Sequence, residues 1–214
     1  MSAVLERLTD AGLVVVARRL EEHYIDGVAA SLVDAGAPAL ELTMDQPDAA
    51  HSIAELHGKW EGRLLIGAGT ALNTNDAKAA IAAGADFVVS PIFIPSIQRF
   101  CREREIPYFP GGATPTDVFR ILKSGIRTIK LFPASLLTPA FIKDLIEPFR
   151  MYQPIFMLTG GLGIETIAPY LAAGVSIVGM GKSILDPNAL KVGQYPVIRT
   201  RAEQVLKAIR SARS

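Results

Sequence analysis

Short runs of apolar, often β-branched residues alternate along the chain with longer stretches whose apolar positions recur every three to four residues. The short runs have the length and composition of strands, and the longer stretches have the periodicity of amphipathic helices. Strands are predicted from Leu13 to Ala17, Ala39 to Thr43, Leu64 to Gly67, Phe87 to Ser90, Pro107 to Phe109, Thr128 to Leu131, Ile155 to Leu158 and Ser176 to Val178. Helices are predicted from Glu22 to Asp34, Ala49 to Gly58, Thr74 to Ala83, Ser96 to Glu103, Thr116 to Ser124, Pro139 to Phe149, Ile164 to Ala173 and Arg201 to Arg210. Such alternation implies parallel strands covered by helices. Asp34-Ala35-Gly36-Ala37, Ala83-Gly84-Ala85-Asp86, Ser124-Gly125-Ile126 and Ala173-Gly174-Val175 each close a helix before a strand. Glycine suits the left-handed residue after a helix end, and these junctions precede strands two, four, six and eight as a weak internal repeat. Eight such strands close a parallel (β/α)8 TIM barrel, here a single domain over residues 1–214 at the small end of that fold's range. The competing open doubly wound sheet lacks its G-x-G-x-x-G after strand one.

Buried parallel strands read as continuous apolar runs, and two candidates break that rule. Strand two reads Ala39-Leu40-Glu41-Leu42-Thr43, and strand six reads Thr128-Ile129-Lys130-Leu131-Phe132. By period-two alternation the leucines and the isoleucine face the helical layer, which turns Glu41 and Lys130 into the barrel. Strands two and six are opposite in an eight-strand ring and share parity, so the two charges belong to one interior layer. One reading is a structural buried ion pair. The other is catalytic: desolvation lowers a lysine pKa, and a neutral amine attacks carbonyl carbon where an ammonium cannot. Catalysis is preferred, because desolvated titratable groups in a barrel mouth tend to be functional.

Strand one ends in Ala17-Arg18-Arg19, which brings two guanidinium groups to the end of the barrel where active sites lie; one of them suits a carboxylate. Thr159-Gly160-Gly161 after strand seven and Gly179-Met180-Gly181-Lys182-Ser183 after strand eight occupy the two loops where such barrels bind phosphate on backbone N–H groups. Gly67-Ala68-Gly69-Thr70 and Pro110-Gly111-Gly112-Ala113-Thr114 also allow close backbone approach to a ligand, although tight turns alone explain them.

With 22 basic against 21 acidic residues and a net charge of +1, no global field draws the chain to nucleic acid or an anionic membrane. An anionic ligand must be caught locally. No apolar run approaches the roughly 20 residues of a membrane span, and no signal pattern opens the chain, so a cytoplasmic location is expected. The one cysteine, Cys101, precludes an internal disulfide framework and is given no chemical role. His23, His51 and His57 match no metal-ligand spacing and are expected at the surface, and no metal or cofactor is called for.

At these residues the sequence resembles the 2-keto-3-deoxy-6-phosphogluconate (KDPG) and 2-keto-4-hydroxyglutarate (KHG) aldolase family, class I lyases on a (β/α)8 barrel. The likeness spans nearly the whole chain through Val16-Ala17-Arg18, Leu40-Glu41-Leu42-Thr43, Ile66-Gly67-Ala68-Gly69-Thr70, Val89-Ser90-Pro91, Phe109-Pro110-Gly111, Ile129-Lys130-Leu131-Phe132-Pro133 and Leu158-Thr159-Gly160-Gly161. The lysine-bearing segment is the most specific. The resemblance implies a carbon–carbon lyase of Entner–Doudoroff-type carbohydrate metabolism. It would cleave a 4-hydroxy-2-keto acid to pyruvate and an aldehyde, glyceraldehyde 3-phosphate from the phosphorylated substrate or glyoxylate from hydroxyglutarate. It implies Lys130 as the iminium-forming nucleophile and Glu41 as general acid/base. Arg18 and Thr70 would hold the pyruvate portion, Pro91 and Phe132 line the pocket, and Thr159 lie beside the keto acid. Gly160, Gly161, Gly181, Lys182 and Ser183 would take the phosphate, and the assembly would be a homotrimer. Asp45 stands where many members carry an arginine, and Gly181-Lys182 stands where Gly-Ser is common. Pro110-Gly-Gly-Ala-Thr114 and Leu131-Phe-Pro-Ala-Ser135 resemble the branch that cleaves the 6-phosphogalactonate epimer. Two rivals remain: a phosphate-binding isomerase or synthase that uses Glu41 as a base and Lys130 electrostatically, and a non-catalytic barrel that binds a sugar acid or serves as a scaffold.

Overall fold

The computed structural model describes residues 2–213. In chain order the elements are α1 (Ala3–Ala11), β1 (Leu13–Ala17), α2 (Glu22–Asp34), β2 (Ala39–Thr43), α3 (Ala49–Trp60), β3 (Leu65–Gly69), α4 (Thr74–Ala82), β4 (Phe87–Val89) and α5 (Pro95–Arg102). There follow β5 (Tyr108–Phe109), β6 (Gly111–Gly112), α6 (Pro115–Lys123), β7 (Thr128–Leu131), α7 (Pro139–Ile146), β8 (Ile155–Thr159), α8 (Ile167–Ala172), β9 (Ile177–Met180), α9 (Pro187–Lys191) and α10 (Tyr195–Arg213).

All strand pairs are parallel, in the order β5-β4-β3-β2-β1-β9-β8-β7-β6. Nine segments make the expected eight-position barrel because β5 and β6 are one strand interrupted at Pro110. Proline has no N–H for the ladder. The piece before it pairs with β4 and the piece after it with β7. The Pro110 carbonyl still accepts from the Lys130 N–H at 2.8 Å, and the Thr128 hydroxyl donates to the Tyr108 carbonyl across the same seam. Counting β5 and β6 as one strand, β2 and β7 stand opposite.

The helix-closing glycines Gly36, Gly84, Gly125 and Gly174 have φ of +71°, +92°, +90° and +106°, the left-handed values predicted for them. Each strand turns alternate residues outward, and Leu40, Leu42, Ile129 and Leu131 join the shell between sheet and helices. The inward residues Val14, Ala39, Leu65, Phe87, Val89, Phe109, Met157 and Ile177 form a separate interior cluster, which Leu8 of α1 joins. Phe87 and Phe109 meet edge to face, 6.2 Å between ring centroids. The sequence reading lacks α1 and α9. It also stops strand three two residues early and starts the last helix late, at Arg201 instead of Tyr195. The predicted helix from Pro139 to Phe149 is α7 followed by a 3-10 segment, Glu147–Tyr152. Cys101 is buried on α5, where desolvation pushes its thiol up to about 12, an unreactive state. No helix among the described residues is long and apolar enough to cross a membrane.

Gly67 governs interior packing by its size. A Cβ there would lie 2.1 Å from the Phe87 ring. Gly67→Ala should therefore overpack the barrel floor and destabilise the fold by about 1–3 kcal/mol, read as a lowered urea midpoint with an unchanged m-value. An unchanged midpoint would mean that the ring moves aside freely.

Candidate active site

All the residues predicted for the site lie at one end of the barrel, in or just beyond the carboxyl-terminal parts of β1 to β4 and β7 to β9. Two carry titratable groups inside the ring. Glu41 on β2 is 1% exposed and Lys130 on β7 is 7% exposed. Neighbouring apolar side chains on the same strands point the other way, as alternation requires.

The two groups feel each other's charge but form no direct ion pair among the described residues. Burial dominates both. Desolvation pushes the Glu41 carboxyl above its usual range, against the opposing pull of Lys130. Desolvation also holds Lys130 below 10.5; Glu41 counters this, and the Arg18 charge adds to the lowering. Both shifts favour the neutral forms. Glu41 Oε2 is shielded and has no hydrogen-bond partner. Oε1 occupies space vacated by Gly69, where a Cβ would lie 1.9 Å away. Such an amine and carboxyl can respectively attack a carbonyl carbon and exchange protons with its substituents.

Around this pair stand the smaller groups. Phe132 presents its ring 5.1 Å from Lys130 Nζ. Pro91 follows β4, and its carbonyl abuts Gly111, where a Cβ would lie 1.9 Å from that oxygen. Thr159, 4% exposed, ends β8 and packs against Gly179. Thr70 follows β3 at φ +56°, a left-handed conformation that is rare for a β-branched residue and marks local strain. Gly160 and Gly161 have φ of +97° and +92°, and the Gly160 carbonyl accepts from the Ser135 N–H. After β9, Lys182 is exposed while Ser183 Oγ is shielded and unpartnered.

Arg18 and Arg19 share one partner that the sequence does not reveal. Arg18 Nη2 and Arg19 Nε each lie 3.2 Å from the same oxygen, Asp45 Oδ2. Partial burial opposes ionisation of Asp45, but the Thr43 hydroxyl and the two guanidinium groups hold its carboxyl below the usual range. The sequence shows Asp45 only as a missing cation; that it gathers two existing ones becomes visible in three dimensions. Another feature outside the sequence reading is an exposed trio of Glu22, His51 and Glu55 on α2 and α3, with ligand atoms within 4.8 Å of one another. Of the histidines, His23 and His51 are exposed as expected, whereas His57 is half-buried against Gly84.

A parallel barrel with a desolvated lysine and carboxyl at its mouth suits carbonyl chemistry, and the family it matches makes it a carbon–carbon lyase, an aldolase. Residues 4–200 match the family model described as KDPG and KHG aldolase, and the chain belongs to that family. It is 32% identical over 197 residues to a 2-dehydro-3-deoxy-phosphogluconate aldolase of Treponema pallidum, covering 92% of this chain and 91% of the relative. It is 30% identical over 196 residues to a probable 2-dehydro-3-deoxy-6-phosphogalactonate aldolase of Rhizobium meliloti, covering 92% and 90%. The solved KDPG aldolase of Legionella pneumophila, with pyruvate captured as a covalent carbinolamine intermediate, superposes with a TM-score of 0.87 at 26% identity, over 95% of this chain and 98% of that one.

The charge couplings set the sign of a titration. In a carbon-13 NMR titration of lysine Cε, Lys130 should titrate below 10.5. Its midpoint should fall further in Glu41→Gln, which removes a stabilising anion, and rise in Arg18→Ala, which removes a repelling cation. A midpoint unmoved by either change would contradict the coupling.

Proposed function

We propose that Lys130 is the Schiff-base nucleophile of this aldolase and Glu41 its general acid/base, acting on a 4-hydroxy-2-keto acid. The observation that carries this reading is the buried amine, held toward its neutral form opposite a carboxyl held toward its own. The amine adds to the C2 ketone, and the carbinolamine hydroxyl leaves as water with a proton from Glu41, giving an iminium. The resulting carboxylate takes the C4 hydroxyl proton. The C3–C4 bond then breaks, its electron pair moves toward the iminium nitrogen, and an aldehyde departs. Glu41 returns the proton to C3, and hydrolysis releases pyruvate and the free lysine.

Arg18 and Thr70 hold the keto-acid carboxylate in this proposal, with Thr159 beside it and Pro91 and Phe132 forming the wall. The distal phosphate goes to Gly160, Gly161, Gly181, Lys182 and Ser183. Positive φ at both glycines after β8 and the unpartnered Ser183 hydroxyl support that end of the assignment. The substrates we favour are 2-keto-3-deoxy-6-phosphogluconate, which yields glyceraldehyde 3-phosphate, and 4-hydroxy-2-oxoglutarate, which yields glyoxylate. The Rhizobium relative supports the 6-phosphogalactonate epimer as a second reading. The proposal includes a cytoplasmic homotrimer; Leu72, Ile92, Phe119, Leu136 and Phe141 are large apolar residues left exposed in one protomer.

Borohydride reduction in the presence of pyruvate should leave a reduced three-carbon adduct on the Lys130 peptide, detected by mass spectrometry. Lys130→Ala should lose the adduct and lower pyruvate release on the order of a thousandfold or more. An unmodified Lys130 in active protein would refute the Schiff-base assignment. Release rates across phosphorylated and unphosphorylated acids rank the substrates, and sedimentation velocity gives the protomer number.

A further inference from the structure

We propose that Asp45 is a positioning residue for the aldolase reaction: it anchors Arg18 at the barrel mouth so that the guanidinium meets the keto-acid carboxylate already oriented. This rests on Arg18 as the carboxylate-binding group and names what holds it there.

Successive residues of an extended chain project to opposite sides. Arg18 and Arg19 nevertheless reach one oxygen, Asp45 Oδ2, each at 3.2 Å. Arg19 has φ +50°, a left-handed turn that disrupts the extended alternation at this point. A non-glycine residue holds such a conformation only when its surroundings over-determine it, and the shared ion pair is one such restraint. The Arg19 N–H also lies 3.4 Å from the Thr43 hydroxyl, which ties the turn to the end of β2.

The exposures show which partner is fixed. The Asp45 side chain is 16% exposed, against 59% for Arg18 and 67% for Arg19. A well-packed carboxylate therefore holds two long side chains that water would otherwise leave free among many rotamers. Arg18 spends one nitrogen on Asp45 and has no other hydrogen bond among the described residues, so its remaining donors are available to a carboxylate. Arg18 is also close enough to influence Lys130 electrostatically.

Orientation and charge make opposite predictions. If Asp45 mattered only as a negative charge near an anionic substrate, neutralising it would tighten binding. If it orients Arg18, removing it weakens binding although the site becomes more positive.

Pyruvate is a suitable probe because it carries the carboxylate and ketone without a distal group. The half-saturating pyruvate concentration for borohydride trapping at Lys130 is measured in wild type, Asp45→Ala, Asp45→Asn, Arg18→Ala and the Asp45→Ala/Arg18→Ala double variant. Asp45→Ala should raise it roughly three- to tenfold, the effect of ordering one long side chain only upon binding. The trapping rate at saturating pyruvate should stay within about twofold. Asp45→Asn, which keeps an acceptor oxygen, should fall between wild type and Asp45→Ala, and it serves as the readout if thermal unfolding shows that the alanine variant does not fold. In the Arg18→Ala background, Asp45→Ala should add nothing, because the residue it positions is gone. A lower half-saturation in Asp45→Asn, or independent multiplying effects of the two alanine changes, overturns the inference. Absence of any adduct in wild type instead overturns the Schiff-base assignment beneath it.

Discussion

The site depends on one constraint: an amine and a carboxyl are kept from water inside a ring of strands without being allowed to neutralise each other in a direct ion pair. A close pair would favour the ammonium and the carboxylate. Desolvation favours the amine and the acid, and here it outweighs the attraction in both groups. Both side chains share the barrel interior with the apolar cluster around Phe87, Phe109 and Met157, which Leu8 of α1 joins.

Glycines inside strands give that packing its shape. Gly67 makes room for the Phe87 ring, Gly69 for the Glu41 carboxyl and Gly179 for Thr159. Each replaces a side chain that would project into the lumen, and the freed volume is filled from a neighbouring strand. Phe87 forms part of the apolar floor, while Glu41 and Thr159 bring polar atoms toward the mouth. Gly67 and Gly69 both lie on β3, next to the strand that carries Glu41. Local β propensity is sacrificed there for a tertiary fit.

Most of the barrel and the two charged side chains inside it were legible in the sequence, because both rest on patterns that strands enforce. A charged residue flanked by leucines or isoleucine in a β-branched run has only the lumen to face, and this located Glu41 and Lys130 before any coordinates. The four helix-closing glycines were legible for a similar reason, since only the left-handed turn distinguishes them from alanine. Features set by tertiary encounters were not. Pro110 reads as part of a turn, yet the pieces on either side of it belong to one barrel position that pairs with β4 and β7. α1 is a short amphipathic segment whose importance lies in where Leu8 lands. Asp45 looked like the loss of an arginine, because a sequence cannot show two guanidinium groups converging on one oxygen.

Strain in the molecule follows the same geography. Arg19, Asp48 and Thr70 are non-glycine residues with φ between +50° and +58°, and they sit in the successive connections after β1, β2 and β3. Each such conformation costs on the order of 1 kcal/mol and persists only where surrounding contacts fix it. At Arg19 the shared carboxylate of Asp45 provides one contact and the Thr43 hydroxyl another. The glycine turns after β8 and β9 adjoin these connections through β1, because the ring runs β8-β9-β1-β2-β3. Residues proposed for both anionic ends of the substrate therefore occupy one continuous arc of the mouth. Lys130 enters from β7 at one end of that arc, and Glu41 lies within it across the lumen. A rigid arc with fixed donors suits a reaction whose electron sink forms at one atom of a small, doubly anionic molecule: a poorly held carboxylate would let the ketone drift from the amine. If Asp45 orients Arg18 as proposed, the strained turns around it trade some stability of the free barrel for a keto acid that arrives in register.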